Sequence, residues 1–298
     1  MAENLIGSVS DTAFWIAHHR SVETERPDAL FRDPLAGVLA GDQGREIARA
    51  MPMPFMTGWV VVVRTCIIDD YIRLALTEGI DAVVNLGAGL DTRPYRMDLP
   101  ESLLWVEADY PHVIDFKEQR LSGQTPRCRL ERVKLDLANV AERRRFLDML
   151  KARTPKILVL TEGVISYLSV EEVGSLADDL SALGSVRFWI ADYFSPQVVK
   201  FRTQRGGMQK RMRNAPFRFT PNDWFGFFQE HGWCAKGIRY LPEEGDRLKR
   251  PLQLPLLWQL LFKIRAMFVS KARRAAFRKF SAYVMLVPKT ERISSPHQ

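Results

Sequence analysis

The spacing of apolar and polar residues divides the chain into two regimes. The N-terminal third reads as helical. Thr12–Arg20 forms a short amphipathic segment, and Pro27 allows a restart. Asp28–Ala50 continues the helical pattern with a break near Pro34, until Pro52 and Pro54 stop it. Val60–Thr77 follows as a further helix, with Gly79 at its C-cap. Its β-branched start, Val60–Val63, also suits an extended chain, but helix is the preferred reading.

At Ala82 the period changes to short apolar runs. These are Ala82–Leu86, Leu103–Ala108, a weaker Arg132–Leu135, Ile157–Leu160 and Val186–Ala191. Helical stretches lie between them at Val113–Leu121, Val140–Lys151 and Val170–Leu183. Such alternation predicts a mostly parallel α/β sheet covered on both faces, with right-handed crossovers. Ligands of such sheets bind at the carboxyl ends of the strands, near the switch in strand order. Pro221–His231 reads as another helix, capped by Asn222 or Thr220. Trp233–Tyr240 and Ser281–Val287 bring the strands to seven, with a long insertion, Leu241–Arg278, between them. The expectation is one domain over 1–298. It comprises a helical arm (1–80), a ligand-binding core (81–240), a helical insertion (241–280), and the last strand with its tail (281–298).

Composition narrows the class. The 298 residues are 46% hydrophobic and 26% charged, as in soluble globular proteins, which excludes a disordered or collagen-like chain. Cys66, Cys128 and Cys234 form no CxxC pair, so the reading is a reducing, cytoplasmic compartment without a thiolate metal site. His18, His19, His112 and His231 form no spaced ligand set, and no metal is expected. No signal peptide or transmembrane span is evident. The net charge of +8 is concentrated locally: Arg247–Lys279 holds ten basic residues and no acid, and Arg202–Arg218 holds six and none. These runs could attract anions. No nucleic-acid reading module accompanies them, so nucleic acid is not an expected partner.

The chemistry gathers at the strand ends. Val83–Arg93 runs from an apolar strand into Gly87-Ala88-Gly89, where missing Cβ atoms let backbone approach a ligand closely. A third glycine is absent, which counts against a nicotinamide dinucleotide loop, and no Gly-Lys-Ser/Thr follows for a nucleotide phosphate. The second strand ends in Glu107-Ala108-Asp109, and alternation puts both acids on one side. The third ends at Asp136 and the fourth at Glu162. Four such ends in succession indicate a nucleoside-type pocket. Asp91 and Arg93 read as an ion pair locking the first loop. For Arg64, a ligand carboxylate and a salt bridge to Asp69 or Asp70 are both open readings.

These pieces, taken together, resemble the leucine carboxyl methyltransferase superfamily, most closely its bacterial and polyketide O-methyltransferase branch. The matching segments are Ala29–Ala36, Arg64-Thr65 with Asp69-Asp70, Asn85–Arg93, Glu107–Pro111 with Lys117, Asp136-Leu137, and Thr161–Leu168. The resemblance covers roughly Asp11 to Tyr193. It implies a Rossmann-like class I methyltransferase fold with S-adenosyl-L-methionine as cofactor. It also implies roles: Arg64 toward the cofactor's carboxylate, Gly87 against its methionine, Gly89 beside it as a further cofactor-binding residue, and Asp109 on the ribose. Asp136 and Leu137 would frame adenine, Glu162 would meet the amino-acid portion, and Arg20 would be the early basic contact.

The acceptor is less legible. A carboxylate is ionised at neutral pH, whereas a phenol with a pKa near 10 would gain from a base. The candidate bases are Tyr193, His231 and Asp192, and the pocket candidates are Tyr167, Tyr193, Met208 and Trp258. The expected activity is methyl transfer to a carboxylate or phenolic hydroxyl of a small, apolar or polyketide-like metabolite. Alternatives are methylation of a protein C-terminal carboxyl, a nicotinamide oxidoreductase, and a non-catalytic cofactor-binding interaction protein. Pro251–Phe268 reads as a cover over the acceptor region, with an interfacial membrane helix, a buried helix and a dimer contact as the other options.

Overall fold

A computed structural model describes residues 6–199, 213–253 and 278–289. Seven strands form one sheet, in the order β3-β2-β1-β4-β5-β7-β6. The strands are β1 (Ala82–Leu86), β2 (Leu104–Asp109), β3 (Arg129–Lys134), β4 (Ile157–Thr161), β5 (Val186–Phe194), β6 (Trp233–Tyr240) and β7 (Ser281–Pro288). β1 pairs in parallel with β2 and β4, β2 with β3, and β4 with β5. The chain leaves β1 toward β2 and β3, then returns to β4 on the other side of β1. That reversal is a topological switch point, and the ends of β1, β2 and β4 surround it.

Burial explains which strands were legible. β1, β2 and β4 bury every residue, as strands covered on both faces must, and their continuous apolar runs announce them. β3 is an edge strand with no fully buried position, and it spans Arg129–Lys134 rather than Arg132–Leu135. Its half-exposed pattern hides its start. The second helix also differs from expectation. It is α2 (Pro34–Ala50), and it begins six residues after Asp28 because the Asp33 carboxylate accepts the Ala36 N–H and caps it. A four-residue helix, α4 (Arg93–Arg96), follows the first loop unannounced.

Contacts group the chain into two compact units. The first comprises Met1–Ile68, Tyr193–Ala215 and Arg239–Tyr283; the second comprises Asp69–Asp192, Pro216–Ile238 and Val284–Gln298. In the first, α1 (Asp11–Thr24) packs on α2. Buried ions fix their connection. Arg20 Nε donates to Asp33 Oδ2 at 2.9 Å, and Glu23 accepts the Leu30 N–H at 2.8 Å while pairing with Arg250 at 3.1 Å. α3 (Pro54–Thr77) begins in this unit, and Trp59 Nε1 donates to the Arg250 carbonyl at 2.7 Å. α9 (Leu241–Arg247) opens the expected helical insertion, and residues 254–277 lie outside the described residues.

In the second unit, α5 (Pro111–Arg120), α6 (Val140–Lys151), α7 (Val170–Leu183) and α8 (Trp224–Glu230) accompany the sheet. Ser169 and Glu172 cap α7 reciprocally. Trp189 meets Trp233 and Phe228 edge-on, with ring centroids 5.4 and 5.2 Å apart. Both indoles are hydrogen-bonded, Trp189 to Thr161 and Trp233 to the Ala177 carbonyl. Each such buried side chain is worth roughly 2–3 kcal/mol.

His19 introduces a pH dependence in the first unit. Burial, then His18 and Arg64, push its imidazole down to about 4 from 6.5. The unfolded chain therefore takes up a proton below pH 6.5, and the folded chain takes it up only near 4. Stability is full above the unfolded value and declines between the two. His18 is lowered as well, so its contribution has the same sign. Between pH 7.5 and 5 the parent should lose about 2 kcal/mol more than His19→Gln. Guanidinium unfolding at both pH values measures the difference, and parallel slopes would exclude His19.

Candidate functional site

The residues at the ends of β1 and β2 form one hydrogen-bonded cradle. The N–H of Gly87 donates to the Ala108 carbonyl at 2.8 Å, which carries the β1–β2 pairing into the loop. Gly87 has φ +68° and Gly89 +48°. A Cβ on Gly87 would overlap Val164 Cγ2, on the loop after β4. Asp109, the last residue of β2, receives the Gly89 N–H on Oδ2 at 2.6 Å and the Tyr110 N–H on Oδ1 at 2.7 Å. Burial raises its pKa above the usual carboxylate value, against the pull of those two N–H groups, Lys117 and His112.

The neighbouring acid is spent on structure. Glu107 Oε1 accepts from Lys117 Nζ at 2.7 Å, with both side chains fully buried, and Oε2 accepts from Arg132 Nε at 2.9 Å. Arg132 in turn donates to the Tyr95 hydroxyl at 2.6 Å. Glu107 therefore braces β2 from beneath α5, while Asp109 faces the glycine loop.

A second cluster joins the loops after β1 and β4. Arg93 Nη1 lies 2.9 Å from Asp91 and 2.8 Å from Glu162, and its Nε lies 2.7 Å from Asp69. Arg96 grips Asp69 with both terminal nitrogens, at 2.7 and 2.9 Å. Burial alone would make Arg93 easier to deprotonate, but Asp91, Glu162 and Asp69 hold it well above its ordinary value. Asn85 Nδ2 donates to Asp91 Oδ2 at 2.9 Å, and Asn85 Oδ1 is buried without a hydrogen-bond partner among the described residues. The Asp91–Arg93 lock was readable in the sequence. Its extension to Asp69 and Glu162 was not, because only the folded chain brings positions 69 and 162 together.

The other expected residues fall as follows. Asp136 and Leu137 follow β3; Asp136 Oδ1 accepts the Ala138 N–H at 2.9 Å, and the Leu137 carbonyl accepts from Arg143 at 2.8 Å. Burial, then the Asp136 and Asp109 carboxylates, raise the Tyr110 phenol. Asp192 is buried and accepts from Ser166 Oγ, a contact that sequence reasoning missed. Tyr167 stands edge-on to Phe217 at 5.4 Å, and Tyr193 to Tyr240 at 6.5 Å. His231 Nδ1 lies 2.7 Å from Asp178 Oδ1. It lines an open groove of about 380 Å³ with Asp178, Ser175 and Phe227, and that lining includes none of the strand-end residues. Arg64 lies on α3 and Arg20 on α1, both in the first unit. Asp69 pairs with Arg93 and Arg96, and Asp70 with Arg73. Met208 and Trp258 lie outside the described residues, as does most of the expected cover. Among the described residues no cluster could hold a metal ion, and no helix is long and apolar enough to cross a membrane.

A glycine loop approached by backbone, a buried carboxylate at the next strand end, and a further acid across the switch point suit an adenosine ligand carrying an amino acid. The residues present fit S-adenosylmethionine, and fold and site together define a class I methyltransferase. Residues 13–181 match the leucine carboxyl methyltransferase family, and the chain belongs to it. A Streptomyces avermitilis protein named "Putative S-adenosyl-L-methionine-dependent methyltransferase" is 30% identical, over 82% of this chain and 89% of its own. A Mycobacterium marinum protein with the same name is 28% identical, over 79% and 86%. Among solved structures, a duf574 family protein from Streptomyces avermitilis shares the fold with a TM-score of 0.53 and 15% identity, over 92% of this chain and 96% of that one. The chain is a methyltransferase whose cofactor is S-adenosylmethionine.

Proposed function

We propose that the chain transfers methyl groups to a carboxylate oxygen. The family description, which names a leucine carboxyl, makes the C-terminal carboxylate of a peptide or protein the leading acceptor. The small apolar or polyketide-like acid comes second and the phenol third. The observation that carries the cofactor half of this reading is the Asp109 carboxylate turned onto the Gly89 N–H at the switch point. In this reading Asp109 accepts the ribose hydroxyls, Gly87 and Gly89 admit the methionine chain, and Asp136 and Leu137 border adenine. Glu162 receives the ammonium, and Arg64 offers its fork to the carboxylate. Arg20, paired with Asp33, is the early basic contact of this reading. All of 1–298 acts as one methyltransferase domain in a reducing compartment.

When bound, the cofactor supplies an electrophilic methyl on sulfur, and the protein supplies alignment and electrostatics. A carboxylate arrives ionised and needs no base. That suits the surroundings of two of the candidate bases, since Asp192 is engaged by Ser166 and His231 by Asp178. The test is transfer of labelled methyl from S-adenosylmethionine to a panel comprising a peptide ending in leucine, its C-terminal amide, aliphatic acids and phenols. Base-labile label on the free peptide and none on the amide is the expected result. Transfer to small acids alone would return the metabolite reading to first place, and base-stable label on a phenol would reject the carboxyl reading.

A further inference from the structure

We propose that Arg93 is a positioning residue for the cofactor's amino-acid end. It acts through Glu162, holding that carboxylate aimed so that it can receive the ammonium. The inference rests on the reading of Glu162 given above.

Three carboxylates, Asp69, Asp91 and Glu162, surround the Arg93 guanidinium, which is itself only 2% exposed. With Arg96 included, the cluster contains two positive and three negative groups. It lies where the loops after β1 and β4 meet. The three contacts differ in burial. Asp69 and Asp91 are 3% and 9% exposed and come from α3 and the first loop, so they act as fixed anchors. Glu162 is the most exposed of the three at 12%, and it meets Arg93 through Oε2. Arg93 Nη1 is shared between Asp91 and Glu162, so the position of the β4 loop is tied to that of the glycine loop through one nitrogen. A planar fork with fixed donors can hold three acids in one arrangement, whereas a lysine ammonium is a point charge on a flexible stem. Arg93 also carries the balance of charge. Without it, three buried acids would repel one another.

The experiment compares two probes by calorimetry. S-adenosylhomocysteine carries the amino-acid end, and methylthioadenosine is the same nucleoside thioether without it. Glu162→Gln should weaken S-adenosylhomocysteine about tenfold, the size of one charge-assisted hydrogen bond, and leave methylthioadenosine unchanged. Arg93→Lys should show the same selective loss. The double variant should be no weaker than the worse single variant, since both act on one contact. If Glu162→Gln is silent, the reading of Glu162 fails and the inference falls with it. If Glu162→Gln is selective but Arg93→Lys is silent, weakens both probes equally or adds to Glu162→Gln, the inference alone is overturned. Should Arg93→Lys not fold, Asp69→Asn loosens the Arg93 Nε anchor while keeping the guanidinium. Selective loss of S-adenosylhomocysteine in that variant supports the positioning role, and unselective loss or none overturns it.

Discussion

Lys117→Met should cost about 3–5 kcal/mol of folding stability, the penalty for leaving a buried charge without its partner. Lys117 and Glu107 are both fully buried, 2.7 Å apart. Methionine keeps most of the side-chain length but removes the ammonium. Glu107 would then rely on Arg132 alone, which also serves Tyr95. A second substitution separates charge from packing. Glu107→Gln added to Lys117→Met removes the orphaned charge and should recover at least half of the loss, because a neutral pair needs no ionic partner. Denaturant unfolding of the parent and the single and double variants completes a mutant cycle. A single variant within 1 kcal/mol of the parent would show that Arg132 suffices.

This ion triad also shows where sequence reasoning stopped. Alternation along β2 picked out Glu107 and Asp109 together, but it could not divide their labour. The division depends on Lys117, ten residues on, and Arg132, twenty-five residues on, and no periodicity reports those contacts. Strands β1, β2 and β4 were legible because burial on both faces forces continuous apolar runs. β3 was misplaced because an edge strand carries no such obligation. The break expected near Pro34 is where α2 starts, and the stretch from Asp28 before it forms no helix because the cap at Asp33 sets the start.

The candidate site divides in the same way. Glycines and acids at strand ends are local signals, and Gly87, Gly89 and Asp109 come together as one cradle. The Asp91–Arg93 pair, two residues apart, was equally local. Asp69 and Glu162 lie 24 and 69 residues from Arg93, and the sequence showed them only as separate acids. Ser166 and Asp192, 26 residues apart, are brought together by the adjacency of β4 and β5. His231 attracted attention as a titratable group, but its pairing with Asp178 on α7 depended on where α8 packs.

Gly87→Ala should combine two penalties at the point where backbone must approach the cofactor. The first is conformational: at φ +68° an L-residue is strained by about 1–2 kcal/mol. The second is steric, because the new methyl would overlap Val164 Cγ2, and valine has little rotamer freedom with which to yield. Relief requires the β4 loop to retreat, which would also displace neighbouring Glu162 and widen the cradle. Affinity for S-adenosylhomocysteine should therefore fall at least about 30-fold, equivalent to roughly 2 kcal/mol. Gly123 supplies an internal control: it has φ +82° and nothing within 4 Å of its would-be Cβ. Gly123→Ala should carry the conformational cost alone and leave cofactor affinity unchanged. Adding Val164→Ala to Gly87→Ala should restore part of the affinity by removing the overlap, while the backbone strain persists as lower stability. Calorimetry and thermal unfolding of the parent and the three variants distinguish the two penalties. If Gly87→Ala behaves as Gly123→Ala does, in affinity as well as stability, then the first loop does not approach the cofactor closely and its two glycines only turn the chain.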